Sequence, residues 1–325
     1  MKTGVRTFIW VVLGTTGLLA QAPAPAATAG APAADVSAAT SIPPNVEVVT
    51  DVPFCTGGGH PLLLDMYLPR NPASRSMPAV LWIHGGGWRI GGKSNSRVAA
   101  ELAARGFVGA SAEYRLSGEA PFPAAIEDAK CAVRYLRANA QKYGIDPNRI
   151  GVAGSSAGAH LALLIGTAPA SAGLEGMGGW ESVSSRVQAV LSWFGPTDFS
   201  VGPTAFERGK GPSIIAFLGG TLKQKPNNYR NASPVAWVSK GDPPLLMFHG
   251  DEDTTVPFDQ SVRMETAYRK AGLDVELVTV KYAGHGFKQA GDQPISPAFP
   301  EILERSIAFF ENKLGSEFSP SPVKQ

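Results

Sequence analysis

The segment Gly154-Ser155-Ser156-Ala157-Gly158 is the most reactive arrangement in this sequence, a serine with glycine two residues away on either side. A hydroxyl on a sharp turn between a strand and a helix stands clear of its own backbone, and glycines at 154 and 158 leave room for such a turn. The spacing assigns the exposed position to Ser156 and makes Ser155 its neighbour. A serine hydroxyl is a weak nucleophile until a base takes its proton, so a histidine and an acid must follow, in the chain order Ser, Asp/Glu, His. Of the five histidines, His60 and His84 precede the serine and His160 falls inside the helix after the turn. His249 closes a strand and is followed by Asp251, Glu252 and Asp253, so the order selects the later His285, in Gly284-His285-Gly286-Phe287. That base has to be neutral to accept a proton. The three carboxylates compete for the acid, and a loop carboxylate is ordinarily just solvated.

A developing oxyanion needs N–H donors already aimed at it. His84-Gly85-Gly86-Gly87-Trp88 follows an apolar strand, and its glycines let the backbone turn N–H groups inward; Gly86 and Gly87 are the expected donors, with the Ala157 N–H as a third. His84 precedes the glycines and is expected to brace the loop, and Trp88 to line the substrate pocket. The glycines show neither G-K-[ST] nor G-x-G-x-x-G spacing, so a phosphate cradle has no support.

These groups need a scaffold that brings strand ends together. Apolar runs at 46–52, 61–67, 79–84, 107–113, 150–153, 187–193, 244–249 and 275–280 read as strands, and three- and four-residue apolar spacing at 96–105, 123–141, 157–167, 258–271 and 300–314 reads as helices. The alternation predicts an α/β fold with a mostly parallel eight-stranded sheet after a first hairpin, and helices on both faces. The Gly-rich connections 167–185 and 195–239 are long enough to shape a cleft, the second carrying Phe206, Phe217 and Trp237 as a stacking surface for an aromatic acyl group.

At this point the residues resemble a known family. His249-Gly250-x-x-Asp253-x-x-Val256-Pro257 with Gly284–Phe287, together with His84–Trp88, Tyr114-Arg115-Leu116, Pro121–Ala125, Asp128 and Gly154–Gly158, is similar to the motif set of α/β-hydrolase esterases over about residues 46–314. The resemblance implies the α/β-hydrolase fold, Asp253 as the acid beside Ser156 and His285, and Gly86, Gly87 and Ala157 as the oxyanion hole. Within that fold the chain resembles hormone-sensitive-lipase-like esterases and the bacterial feruloyl and acetylxylan esterases, and His-Gly-Gly-x-Trp also resembles kynurenine formamidases. It departs from the first group in showing no helical cap before residue 46. Its expected substrates are small-molecule esters or polysaccharide-linked esters with short or aromatic acyl groups.

The remainder bounds the setting. Lys2 and Arg6 before the apolar run Phe8–Ala20 read as a signal peptide over 1–22, the run being shorter than the ~20 residues that span a bilayer. Residues 23–44 read as a disordered Ala/Pro-rich tether, 45–315 as the catalytic domain and 316–325 as a disordered tail, in a secreted or periplasmic protein without stable membrane insertion. In an oxidising compartment Cys55 and Cys131 allow a disulfide or two buried thiols, a choice that their Cα separation decides. A formal charge of +2, with 29 basic and 27 acidic residues scattered, excludes a nucleic-acid footprint. The histidines lack ligand spacing and pair with no cysteine, so no metal is expected, and no organic cofactor is indicated. Two other classes compete. A secreted peptidase, amidase or formamidase would use the same three residues, and a non-catalytic binding protein on this fold would have no need to keep them.

Overall fold

The computed structural model describes residue 1 and residues 41–315, apart from 73, 75, 95 and 201–204, and of 205–210 the backbone alone. The expected signal peptide, C-terminal tail and most of the tether lie outside the described residues, as does the Phe206 side chain.

Eight strands form one sheet, β1 (Val46–Gly57), β2 (His60–Pro69), β3 (Met77–Ile83), β4 (Val108–Ala112), β5 (Ile145–Ser155), β6 (Ala189–Trp193), β7 (Leu245–Gly250) and β8 (Val275–Val280). Their order is β1-β2-β4-β3-β5-β6-β7-β8. β1 and β2 form an antiparallel hairpin, β2 runs antiparallel to β4, and every pairing from β4 onward is parallel. β3 is buried along its whole length, as expected of a central strand covered on both faces.

Two apolar layers enclose the sheet. On one face α2 (Ala124–Ala138), α4 (Ala157–Thr167) and α7 (Asp259–Lys270) contribute Ile126, Val133, Leu161, Leu164 and Met264. On the other, α1 (Arg97–Ala104) and α8 (Phe299–Leu314) pack Leu102, Ile302, Ile307 and Phe310 against Trp82 and Trp193. The expected helix 123–141 breaks at Asn139 into α2 and the single turn α3 (Ala140–Tyr143), which ends on Gly144 in the left-handed region. The connection 195–239, expected as open loop, contains α5 (Ala205–Leu218) and α6 (Pro226–Asn231). Among the described residues no helix is long and apolar enough to cross a membrane.

Cys55 of β1 and Cys131 of α2 are joined in a disulfide, with Cα atoms 6.3 Å apart. The neighbouring loop is fastened to the same corner, since Thr56 N–H donates to the Gly178 carbonyl at 2.9 Å and the Trp180 indole to the Phe54 carbonyl at 2.8 Å.

Candidate active site

Parallel strands deliver their following loops to one end of the sheet, the usual place for an α/β site. The loops after β3, β5, β7 and β8 meet there. Ser156 follows β5 with φ +52°, a strained conformation for a residue with a side chain, and its N–H is held by the Trp193 carbonyl at 2.9 Å. The flanking glycines are required by close backbone approach: a Cβ at 154 would run into the Gly158 backbone, and one at 158 into the carbonyls of Ile83 and His84. The turn that exposes Ser156 is thus wedged against the end of β3.

His285 Nε2 lies 3.0 Å from Ser156 Oγ, and its Nδ1 lies 2.7 Å from Asp253 Oδ2. The imidazole rests edge-on to Phe194 at 4.8 Å, and Phe287, buried against Phe194 and Trp193, anchors the turn that carries it. Asp253 is buried, with Oδ1 accepting the N–H groups of Thr255 at 2.8 Å and Val256 at 2.9 Å. Burial alone would push its carboxyl up, but hydrogen bonds from His249 and His285 outweigh that and hold it well below the usual carboxylate range. Asp251 and Glu252 are exposed and serve through their backbones, donating to the carbonyls of Val280 and Ala283.

In the sequence His249 reads only as the end of a strand. Its imidazole is fully buried, with Nδ1 2.7 Å from Ser261 Oγ and Nε2 2.9 Å from the Val256 carbonyl and 3.4 Å from Asp253 Oδ2. The carbonyl contact requires the proton on Nε2, so this histidine is a second donor beside the acid. Its i,i+4 spacing from Asp253 was the available signal.

Gly86 and Gly87 have φ of +110° and +60°. Among the described residues neither donates its N–H to a backbone carbonyl of the turn. Ala157 opens α4, where an N–H has no intrahelical acceptor and the helix dipole favours negative charge. The loop lies against the serine turn, since a Cβ on Gly85 would sit 3.0 Å from the Ser155 carbonyl and 3.4 Å from Ser156 Cβ.

Trp88 differs from its expected place in an open pocket. It is only 4 % exposed, stacked on Phe217 at 4.3 Å, with Phe199 and His160 at its edges. Phe217 is therefore spent on covering Trp88 and is not available as the expected stacking surface, while Trp237 is half-buried with its indole tied to the Asn231 carbonyl at 2.8 Å. His84 is buried, stacked on Tyr114 at 4.4 Å, which fits its bracing role.

Lys93, at the far end of the glycine loop, also escaped the sequence reading. Its ammonium contacts Asp51 and Asp65 at 2.7 Å each, fastening the loop to β1 and β2. Among the described residues no cluster of three or more His, Cys, Asp or Glu side chains could hold a metal ion. A cavity of about 270 Å³ at the opposite end of β3, lined by Pro69, Met77, Ala103 and Arg149, carries none of these groups.

The sheet order and the strained serine turn define an α/β hydrolase of the esterase type. More particularly, residues 64–268 match the BD-FAE family, and the chain belongs to it. It is 32% identical to the esterase LipQ of Mycobacterium tuberculosis over 72% of this chain and 55% of that one. Among solved structures it resembles a truncated carbohydrate esterase from gut microbiota, at 30% identity and a TM-score of 0.69 over 88% of this chain and 99% of that one. It also resembles the propionate-bound esterase Est2 of Thermogutta terrifontis, at 29% identity and a TM-score of 0.69 over 85% and 97%. The chain spans 55% and 62% of the length of LipQ and of the esterase LipC of the same organism.

Proposed function

We propose that this chain hydrolyses carboxylic esters through an acyl-enzyme on Ser156. The observation that carries the reading is the unbroken hydrogen-bonded sequence Asp253, His285, Ser156, at 2.7 and 3.0 Å. In this reading Ser156 Oγ attacks the ester carbonyl carbon while its proton passes to His285 Nε2, and the negative charge moves onto the carbonyl oxygen. The N–H groups of Gly86, Gly87 and Ala157 receive that charge. On collapse of the intermediate the C–O bond to the alcohol breaks, and the His285 proton leaves with the alcohol oxygen. Water then repeats the sequence on the acyl-enzyme, giving the carboxylic acid and restoring Ser156. Asp253 holds the Nδ1 proton and steadies the imidazolium, and His249 keeps Asp253 ionised. The esterase names of the relatives support the same chemistry.

The substrate proposed is a short-acyl ester, acetyl above all, on a carbohydrate. The Trp88–Phe217 stack fills space beside the glycine loop, and with both rings buried neither offers a face to a feruloyl group. A long acyl chain gains ~0.8 kcal/mol per methylene only where a groove receives it. Export to an oxidising compartment is part of the proposal, supported by the charged and apolar residues 2–20 and by the Cys55–Cys131 bridge. Hydrolysis of 4-nitrophenyl esters of rising length tests the acyl preference. It should peak from acetyl to butyryl and fall steeply beyond about eight carbons; preference for emulsified long-chain triglyceride would overturn it.

A further inference from the structure

A cleft of about 450 Å³ opens on the outer side of the glycine loop, within the ~300–1,000 Å³ range of small-molecule sites. Strand register fixes its place. Ile83 pairs with Ala112 on one side and with Gly154 on the other, so the residues just after β3, β4 and β5 stand at one level. Ser156 lies on the β5 side of the loop, and Glu113, Tyr114 and Leu116 lie on the β4 side. The loop that presents Gly86 and Gly87 to the serine contributes His84, Arg89 and Gly91 to this cleft. It is the common wall of the two sites, and the hydrogen bond from Ser117 N–H to the Trp88 carbonyl, at 2.7 Å, stitches the wall to the cleft's far bank.

The chemistry of the lining selects among ligands. The polar side chains that are not buried are Arg89, Glu113, Glu119 and His60, over apolar surface from Leu62 and Leu116, with the buried His84 and Tyr114 rings behind them. Among the described residues the Arg89 guanidinium has no hydrogen-bond or ion-pair partner. His60 and Glu119 are paired at 2.8 Å yet remain 49% and 41% exposed. An anion would meet two carboxylates, and a cation would meet Arg89. An alkyl chain would strip water from all of them without replacing a hydrogen bond. A neutral polyol satisfies every group, since each hydroxyl both donates to carboxylates and accepts from guanidinium, while C–H faces lie on the leucines.

We infer that this cleft seats a neutral sugar residue of the alcohol portion of the ester, flanking the acylated residue bound at Ser156. This rests on the ester-hydrolysis reading and adds to it the part of the chain that selects the alcohol.

The test compares kcat/KM on an acetylated xylo-oligosaccharide and on 4-nitrophenyl acetate, in the wild-type chain and in Arg89→Ala and Glu119→Gln. The ratio of sugar to aryl ester should fall about tenfold in each variant, through KM for the sugar, because one hydrogen bond to a charged group is lost. An unchanged ratio, including parallel loss on both esters from disturbance of the loop, would overturn the sugar site while leaving ester hydrolysis standing. A wild-type chain that cleaves neither ester would overturn both.

Discussion

The indole N–H of Trp88 donates to His160 Nδ1 at 3.3 Å, and the same imidazole donates from Nε2 to the Ala232 carbonyl at 2.6 Å. One buried ring thereby joins the glycine loop, the helix that begins after Ser156 and the segment following α6. The two partners fix a neutral tautomer, and burial pushes His160 down to about 4.

Replacing His160 with Ala removes both hydrogen bonds and leaves a buried donor and acceptor unsatisfied. The expected cost is ~2–4 kcal/mol, measured as a lower denaturant midpoint. kcat on 4-nitrophenyl acetate should drop as well, because Trp88 loses one of the contacts that hold its loop beside the serine turn. His160→Gln can place an acceptor and a donor in the same positions and should recover most of both.

The same histidine makes stability fall in acid. The unfolded chain protonates it from about 6.5 downward, whereas the folded chain resists until about 4. Folding is therefore unaffected near pH 7.5 and loses ~3 kcal/mol as pH drops from about 6.5 to 4. Asp253 acts lower, because its depressed carboxyl contributes stability above the ordinary carboxylate value that is lost on further acidification. Urea midpoints at pH 7.5, 5.5 and 4 should decline in the wild type and decline less in His160→Gln. Equal slopes would assign the acid sensitivity elsewhere.

Asp253→Asn should lower kcat ~10³-fold or more, since an amide donating to His285 Nδ1 forces the proton onto Nε2, where it blocks acceptance from Ser156. Asp251→Asn should stay near wild type, its exposed side chain being outside this sequence of bonds. Steady-state rates on one aryl acetate decide the ranking, and the reverse order would move the acid.

The Cys55–Cys131 bridge closes a separation of 76 residues and should contribute ~4 kcal/mol by limiting the unfolded chain. A melting curve taken with and without a strong reductant should show a clear fall in Tm. An unchanged Tm would mean that the hairpin is held by its other contacts alone.

The parts legible in the sequence are those whose signal is local. Gly154–Gly158 carries its own steric requirement, and the strand at 275–280 matches β8 because a short run rich in β-branched residues, Val275, Val278, Thr279 and Val280, sits between Asp274 and Lys281. What escaped depends on distant partners. Trp88 beside three glycines reads as a wall of the substrate pocket until Phe217, distant in sequence, covers it. α5 was hidden because Gly209, Gly211 and Pro212 interrupt its apolar spacing. Lys93 carries no local signal, since neither Asp51 nor Asp65 is near it in sequence. The residues alone leave three carboxylates as candidates for the acid. Its burial separates Asp253 from Asp251 and Glu252, and burial is a property of the folded chain.

The central claim is that Ser156 is the nucleophile, and covalent capture tests it most directly. The intact chain is treated with a fluorophosphonate, digested and mapped by mass spectrometry while activity on 4-nitrophenyl acetate is followed in parallel. The account predicts one phosphonyl group on Ser156, inactivation in proportion to labelling, and neither labelling nor turnover in Ser156→Ala, with Ser155→Ala still labelled. Full hydrolytic activity after Ser156 is labelled, or in Ser156→Ala, would contradict it.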